Sequence, residues 1–205
     1  MAADGVTVFV VDDDLLVREG LSRLLRSHGW QVSTYASAEE FLGRSPERAI
    51  GCVLLDIHMP GMAGTELHDR LDAGDRTLSI VYLTAHSSIP ASVRAIKQGA
   101  YDFLEKPVDE TMLLEAIAGA TAESLAMHAV AARGADVRER LGALTPRERE
   151  VISRVIAGRM NKQIADELGI ALRTVKLHRN RMMSKMGVRS VAQLVSLCDE
   201  AGVRP

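Results

Sequence analysis

Five side chains in the first 106 residues have types and positions suited to phosphorus chemistry. Asp12 and Asp13 directly follow the apolar run 6–11, Asp56 ends the run 52–56, Thr84 ends the run 80–84, and Lys106 follows the run 101–104. Each run is short and rich in β-branched or aromatic residues, which reads as a strand. In an open α/β sheet, groups just past the carboxyl ends of the strands line one crevice at the point where strand order reverses. With the order 2-1-3-4-5, strands one and three flank that point, so Asp12, Asp13 and Asp56 converge. Three converging carboxylates repel one another unless a cation joins them. Oxygen-only ligands point to a hard metal, Mg²⁺, with Mn²⁺ as the alternative. A carboxylate beside Mg²⁺, with an ammonium and a hydroxyl nearby, is equipped for phosphoryl transfer. Asp56 attacks phosphorus, while Mg²⁺, Lys106 and Thr84 neutralise or hydrogen-bond the phosphoryl oxygens.

A second constellation lies near the other end. Residues 172–186 read as a helix whose apolar side carries Val175, Met182 or Met183, and Met186, and whose other faces carry Arg173, Lys176, Arg179, Asn180, Arg181 and Lys185. Positions 173, 176, 177 and 180 share one helical stripe, so they can enter a major groove together. There Lys or Arg pairs with guanine and Asn with adenine. Charge follows the same division. Residues 1–142 hold 13 Lys and Arg against 21 Asp and Glu, a balance of −8, whereas residues 143–205 hold 12 against 6, a balance of +6. An acidic front and a basic back predict two domains, the second with a polyanionic partner.

The elements that must position these groups are legible as alternation. Strands are predicted at 6–11, 31–35, 52–56, 80–84 and 101–104, and helices at 15–28, 38–44, 65–71 and 91–98, with a further one from Asp109 as N-cap. Ser37-Ala-Glu-Glu40 is a capping box, and Gly29 and Gly99 stand where the first and fourth helices should stop. Five strands alternating with helices predict a parallel sheet covered on both faces, of the flavodoxin-like (βα)5 kind. This domain is placed at 1–121. Residues 122–142 read as a partly helical linker, broken at Arg133-Gly134-Ala135-Asp136. From 143 to 205 the pattern is all helical. Thr145-Pro-Arg-Glu148 is a capping box with proline at the first helical position. Asn161 is read as the cap of a second helix, Gly169 as the tight turn before the basic helix, and a fourth helix starts near Ser190. Helix, glycine turn and basic helix make a helix-turn-helix signature.

The chain of 205 residues has no apolar run of the length that spans a bilayer, and its N-terminus does not read as a signal peptide. Its two cysteines, Cys52 and Cys198, read as reduced core thiols. The expectation is a cytoplasmic protein with no membrane partner.

Residues 6–120 resemble the receiver domains of two-component response regulators. The resemblance rests on Val10-Val11-Asp12-Asp13, Leu54-Leu55-Asp56-Ile57-His58-Met59-Pro60-Gly61, Leu83-Thr84-Ala85 and Phe103-Leu104-Glu105-Lys106-Pro107. It implies that Asp56 is the phosphoacceptor. Asp12 and Asp13 would hold Mg²⁺ together with the backbone carbonyl of His58. Thr84 and Lys106 would bind the phosphoryl group, Phe103 would be an aromatic rotamer switch, and Lys106–Pro107 would be a cis bond. Residues 143–197 resemble the LuxR-type helix-turn-helix through Leu144-Thr-Pro-Arg-Glu-Arg-Glu150, Asn161-Lys-Gln-Ile-Ala165, Thr174-Val-Lys-Leu-His-Arg179 and Lys185-Met186. That resemblance places Lys176, Leu177 and Asn180 at base-reading positions, and leaves Lys162, Arg173, Thr174, Arg179 and Arg181 for phosphates. Together the two halves follow the plan of the NarL/FixJ family, closest to its FixJ branch. The implied partners are a sensor histidine kinase, double-stranded promoter DNA, RNA polymerase, and a second copy of the chain on phosphorylation. The implied outcome is activation of transcription. The receiver would catalyse only its own phosphorylation and slow dephosphorylation, so the chain is not an enzyme in purpose.

Three features depart from that plan or vary within it. Ala171 stands where a capping Ser is common, so the basic helix is expected to fray or shift at its start. The two positions bordering the phosphoryl group are both histidine, His58 and His86, and are candidates for setting its lifetime. The apolar side of the fourth helix, from Val191, Leu194, Val195 and Leu197, serves dimerisation, the domain core, or both. An aspartyl-phosphate phosphatase is the rival reading, and His58 argues against it because such enzymes often place a second Asp there.

Overall fold

The computed structural model describes residues 5–45, 49–72, 77–85 and 95–202. Strands β1 (Val6–Val11), β2 (Gln31–Tyr35), β3 (Ile50–Asp56), β4 (Leu78–Thr84) and β5 (Asp102–Glu105) form one sheet in the order β2-β1-β3-β4-β5. Every pairing is parallel. The predicted flavodoxin-like order is therefore the observed one. Registers such as Val11 with Leu55 and Leu83 with Asp56 bring the carboxyl ends of β1, β3 and β4 level.

Burial on both faces explains the sequence pattern. Strands β3 and β4 are near-continuous apolar runs because each residue meets a helix on one side or the other. One face packs Phe9, Val53, Leu55, Ile80 and Tyr82 with Phe41 and Leu67 from helices α2 (Ala38–Arg44) and α3 (Gly64–Asp72). The opposite face packs Val8, Val10, Leu54, Val81 and Leu83 with Leu25 from α1 (Leu15–Ser27) and Leu113 and Ile117 from α4 (Glu110–Gly142). The helix predicted at 91–98 falls mostly outside the described residues. Within them, 95–97 are helical and Gly99 closes the turn at φ +94°.

Side-chain caps form at Ser37 and Asp109 as predicted, and also at Asp14. Asp14 accepts from the backbone N–H groups of Leu16 and Val17, Ser37 from that of Glu40, and Asp109 from those of Thr111 and Met112.

The chain divides into two compact units, Met1–His128 and Ala129–Pro205. The predicted break at residues 133–136 is absent, because α4 runs unbroken to Gly142. Two physical reasons account for this. One glycine costs a helix only about 1 kcal/mol, and Val137 and Leu141 a turn or two further on have a core to enter. Gly134 is also a contact point, since a Cβ there would lie 3.3 Å from the Ala201 carbonyl oxygen. The linker is therefore helical throughout.

In the second unit, α5 (Pro146–Ile156), α6 (Asn161–Leu168), α7 (Leu172–Met186) and α8 (Val191–Glu200) enclose a core of Val151, Ile152, Val155, Ile164, Val175, Met182, Met186, Leu194 and Cys198. Gly169 adopts the left-handed conformation at φ +63° between α6 and α7. The Thr145–Glu148 capping box is formed in both directions. Two expectations need correction. The residue before α6 is Met160, and Asn161 is its first helical residue; Gln163 accepts the Met160 N–H, and the Asn161 oxygen accepts from Arg179. Helix α7 begins at Leu172 without a side-chain cap at Ala171, yet its first backbone bonds, from Thr174 and Val175 to the Ala171 carbonyl, are in place. Leu194 and Cys198 commit one side of α8 to the core. Both cysteines are buried free thiols, and burial pushes Cys52 up to about 12.

Candidate functional site

The carboxyl ends of β1 and β3 and the segment after β5 meet in one open pocket, lined by Asp12, Asp13, Asp14, Val17, Asp56, His58, Ala85 and Lys106. Asp12 and Asp56 are buried there, whereas Asp13 is exposed. Lys106 joins the two buried carboxylates, with Nζ 2.5 Å from Asp12 Oδ2 and 2.9 Å from Asp56 Oδ1. Burial works against the ammonium, but its bonds to Asp12 and Asp56 and their negative charge prevail, and its pKa lies above the usual lysine value.

Backbone groups fix the remaining oxygens. The His58 N–H donates to Asp56 Oδ2 at 2.9 Å, and the Asp14 N–H donates to Asp12 Oδ1 at 2.9 Å. Gly64 allows α3 to start against the end of β3, because a Cβ there would fall 2.2 Å from the Asp56 carbonyl oxygen. Thr84 is wholly buried at the end of β4. Its carbonyl accepts the Lys106 N–H at 2.7 Å, which holds the segment after β5 beside the pocket. The Lys106–Pro107 peptide is cis. Phe103 is half-buried in β5 and packs against Tyr82. His58 is exposed, and His86 lies outside the described residues.

The donor chemistry suits a hard cation, since four carboxylates line the pocket, of which Asp14 is committed to capping α1. It is not a preformed cage, because no three such groups already stand at ion-holding distance among the described residues. Lys106 supplies the positive charge instead, and a cation would have to share Asp12 and Asp56 with it.

Sequence reasoning missed two supports. Arg18 donates to the Asp12 carbonyl at 2.6 Å, clamping the turn after β1. Its only signal is its place one turn into α1. His68, buried on α3, has Nδ1 2.9 Å from Tyr82 Oη. A polar residue inside an otherwise apolar helix face was the available sign.

In the second unit, exposure sorts the basic helix. Arg173, Lys176, Leu177, Asn180 and Arg181 of α7 are exposed, as is Lys162 of α6, whereas Thr174 and Arg179 are half-buried. Lys176, Arg179 and Asn180 share an open depression with Met160 and Asn161. Arg179 donates to Asn161 Oδ1 at 2.7 Å, which ties α7 to the start of α6. Lys185 is exposed too, but its ammonium is committed within the unit. It is bound to the buried Glu148 at 2.7 Å and to the Ala143 carbonyl at 3.0 Å.

Comparison with known proteins agrees with both halves. Residues 8–118 match the family described as response regulator receiver domain, and residues 142–198 match the luxR family of bacterial regulatory proteins. The chain is 40% identical over 201 residues to the transcriptional regulatory protein FixJ of Rhizobium meliloti, covering 97% of this chain and 98% of that one. It is 41% identical over 200 residues to the C4-dicarboxylate transport transcriptional regulatory protein DctR of Rhodobacter capsulatus, covering 93% and 98%. Among solved structures, the response regulator StyR is 46% identical with a TM-score of 0.82, covering 96% of this chain and 99% of that one.

Proposed function

Because the chain belongs to the two-component response regulators that join a receiver domain to a LuxR-family DNA-binding domain, we propose that Asp56 is its phosphoacceptor and that phosphorylation there governs DNA binding by the second unit. The chain is a transcriptional regulator rather than an enzyme in purpose. The observation that carries the reading is the placement of Asp56. It ends β3, faces the open pocket beside Asp12 and Asp13, and has its Oδ1 on the Lys106 ammonium.

A sensor histidine kinase supplies the phosphoryl group. An Asp56 oxygen attacks phosphorus, the bond from phosphorus to the kinase imidazole breaks, and the imidazole leaves as a neutral ring once protonated. Asp12, Asp13, Asp56 and the His58 carbonyl would hold Mg²⁺, or Mn²⁺ in its place. When bound, the metal supplies positive charge to the phosphoryl oxygens. Lys106, kept as an ammonium, pairs with one phosphoryl oxygen, and the Thr84 hydroxyl donates to another. Exposed Leu15 and Leu16, at the start of α1 just after the acidic residues, offer the kinase an apolar foothold.

Thr84 and Phe103 then shift, and the face around β5 and the segment before it pairs with a second copy. Two second units thereby address two half-sites. Lys176, Leu177 and Asn180 read base edges. Lys162, Arg173, Thr174 and Arg181 contact phosphates, as does Arg179 from its tether on Asn161. The bound dimer engages RNA polymerase in the cytoplasm and activates transcription.

Beryllofluoride with Mg²⁺, used with duplexes selected from a random pool, tests the proposal through dimer mass and DNA affinity. Both should rise in the wild type and stay flat in Asp56→Asn. A rise in the Asp56→Asn variant would replace phosphorylation with another switch, and rapid turnover of phosphate esters would favour the phosphatase reading.

A further inference from the structure

Three aromatic or imidazole rings run from α3 across β4 to β5, and only the last has been given a role. His68 is 2% exposed and Tyr82 is fully buried. Their rings lie 5.7 Å apart, and His68 Nδ1 is 2.9 Å from Tyr82 Oη. Tyr82 pairs in register with Phe103 across the parallel strands, and those two rings lie 6.3 Å apart at 53°. Tyr82 also shares its face of β4 with Thr84, two residues on, because side chains alternate along a strand.

A buried tyrosine hydroxyl needs a partner, and a bond to it fixes where the ring can sit. Whichever of the two carries the proton, the bond holds the Tyr82 ring toward α3 at its hydroxyl end. The ring's flank is then the wall on which half-buried Phe103 rests. Anything that frees Tyr82 loosens that wall and changes the relative stability of the positions open to Phe103.

We propose that His68 is a positioning residue for the phosphorylation switch: through its bond to Tyr82 it holds Phe103 half-buried against the Tyr82 ring, and this position is the resting one. The proposal rests on the reading of Asp56 as phosphoacceptor and of Phe103 as the switch residue. A ligand shifts a two-state element only by its differential affinity for the two states. A bond stronger in the resting state therefore raises the occupancy of phosphoryl group needed to turn the switch. A net hydrogen-bond contribution corresponds to a shift of about fivefold in that balance.

The chain has three phenylalanines, so protein labelled with 4-fluorophenylalanine gives few ¹⁹F signals, and Phe103→Leu assigns the one of interest. Its position is read in full-length protein without and with beryllofluoride and Mg²⁺, which sets the resting and switched limits. Tyr82→Phe removes one hydroxyl and keeps the ring; in labelled protein it adds a fourth ¹⁹F signal, from a weakly accepting C–F at the former hydroxyl position, and Tyr82→Phe with Phe103→Leu identifies the Phe103 signal in that background. In Tyr82→Phe the Phe103 signal should move toward the switched limit before beryllofluoride is added, and half-saturation should need about fivefold less beryllofluoride. His68→Leu should match it, the double variant should add nothing, and His68→Asn, which returns a polar atom near Nδ1, should restore wild-type behaviour. Unchanged signal and midpoint in Tyr82→Phe would overturn the positioning role while leaving Asp56 as phosphoacceptor. A wild type that does not respond to beryllofluoride would remove both.

Discussion

Lys106 Nζ stands 2.5 Å from Asp12 Oδ2, so the lysine occupies a carboxylate that a metal ion would also use. Asp12 is buried and cannot spare its countercharge cheaply. On the function proposed above, the two cations would compete for Asp12 while both favour phosphoryl transfer. Lys106→Ala should bind Mg²⁺ about tenfold more tightly, the effect of losing one charged hydrogen bond. It should nevertheless be phosphorylated by acetyl phosphate about a hundredfold more slowly. Titration calorimetry and single-turnover labelling measure the two effects separately. Weaker Mg²⁺ binding in the variant would show that the lysine assembles the metal site instead of competing for it.

The adjacent aspartates should divide by role. Asp14 caps α1, accepting from Leu16 N–H at 2.8 Å. Asp14→Ala should cost about 1 kcal/mol in urea unfolding and leave Mg²⁺ affinity unchanged. Asp13→Ala, at an exposed pocket position, should do the reverse. Loss of Mg²⁺ binding in Asp14→Ala would contradict this division.

Glu148 links stability of the second unit to pH. The Lys185 hydrogen bond chiefly, then the Thr145 N–H, hold its carboxyl below its ordinary value of 4.5. A depressed carboxylate contributes stability that is fully present above its unfolded value and is lost as pH falls through the folded one. Melting of this unit should be level from pH 7 to about 5 and fall below about pH 4.5. Glu148→Gln should melt lower at neutral pH and depend less on acid. Parallel profiles for the two proteins would show that the pair does not supply this dependence.

Exposed residues of α7 should differ in what they do to DNA. Asn180→Ala should relax preference at one base pair by about 1–3 kcal/mol. Arg173→Ala should weaken all sequences alike and lower the salt slope by about one. Competition binding on single-base variants of a selected duplex, repeated across salt, distinguishes the two. An Asn180→Ala protein with unaltered preference would place base reading elsewhere on the helix.

Much of this molecule was legible as sequence because the deciding interactions are local. Strands β1 and β2 and helices α2 and α7 have the predicted bounds. Their periodicity and flanking turn residues lie within a few positions, and the caps at Ser37, Asp109, Thr145 and Ser190 each bind groups two or three residues on. The acidic residues after β1 and β3 and the lysine after β5 were enough to place the pocket, because a parallel sheet brings those ends to one side, whereas Thr84 is buried behind its lining.

Partnerships between distant residues were decided only by the fold. Asn161 reads as a cap until Arg179, 18 residues away, takes its oxygen. Lys185 reads as one more cation on a basic helix until Glu148 buries beside it. Gly134 reads as a helix breaker until the Ala201 carbonyl comes close enough to make any Cβ there a tight fit. Lys106 reads as a phosphoryl ligand, and in the folded chain it is first the countercharge of Asp12 and Asp56. In each case residue type announces a capacity, and the choice among possible partners depends on which groups packing brings within about 3 Å.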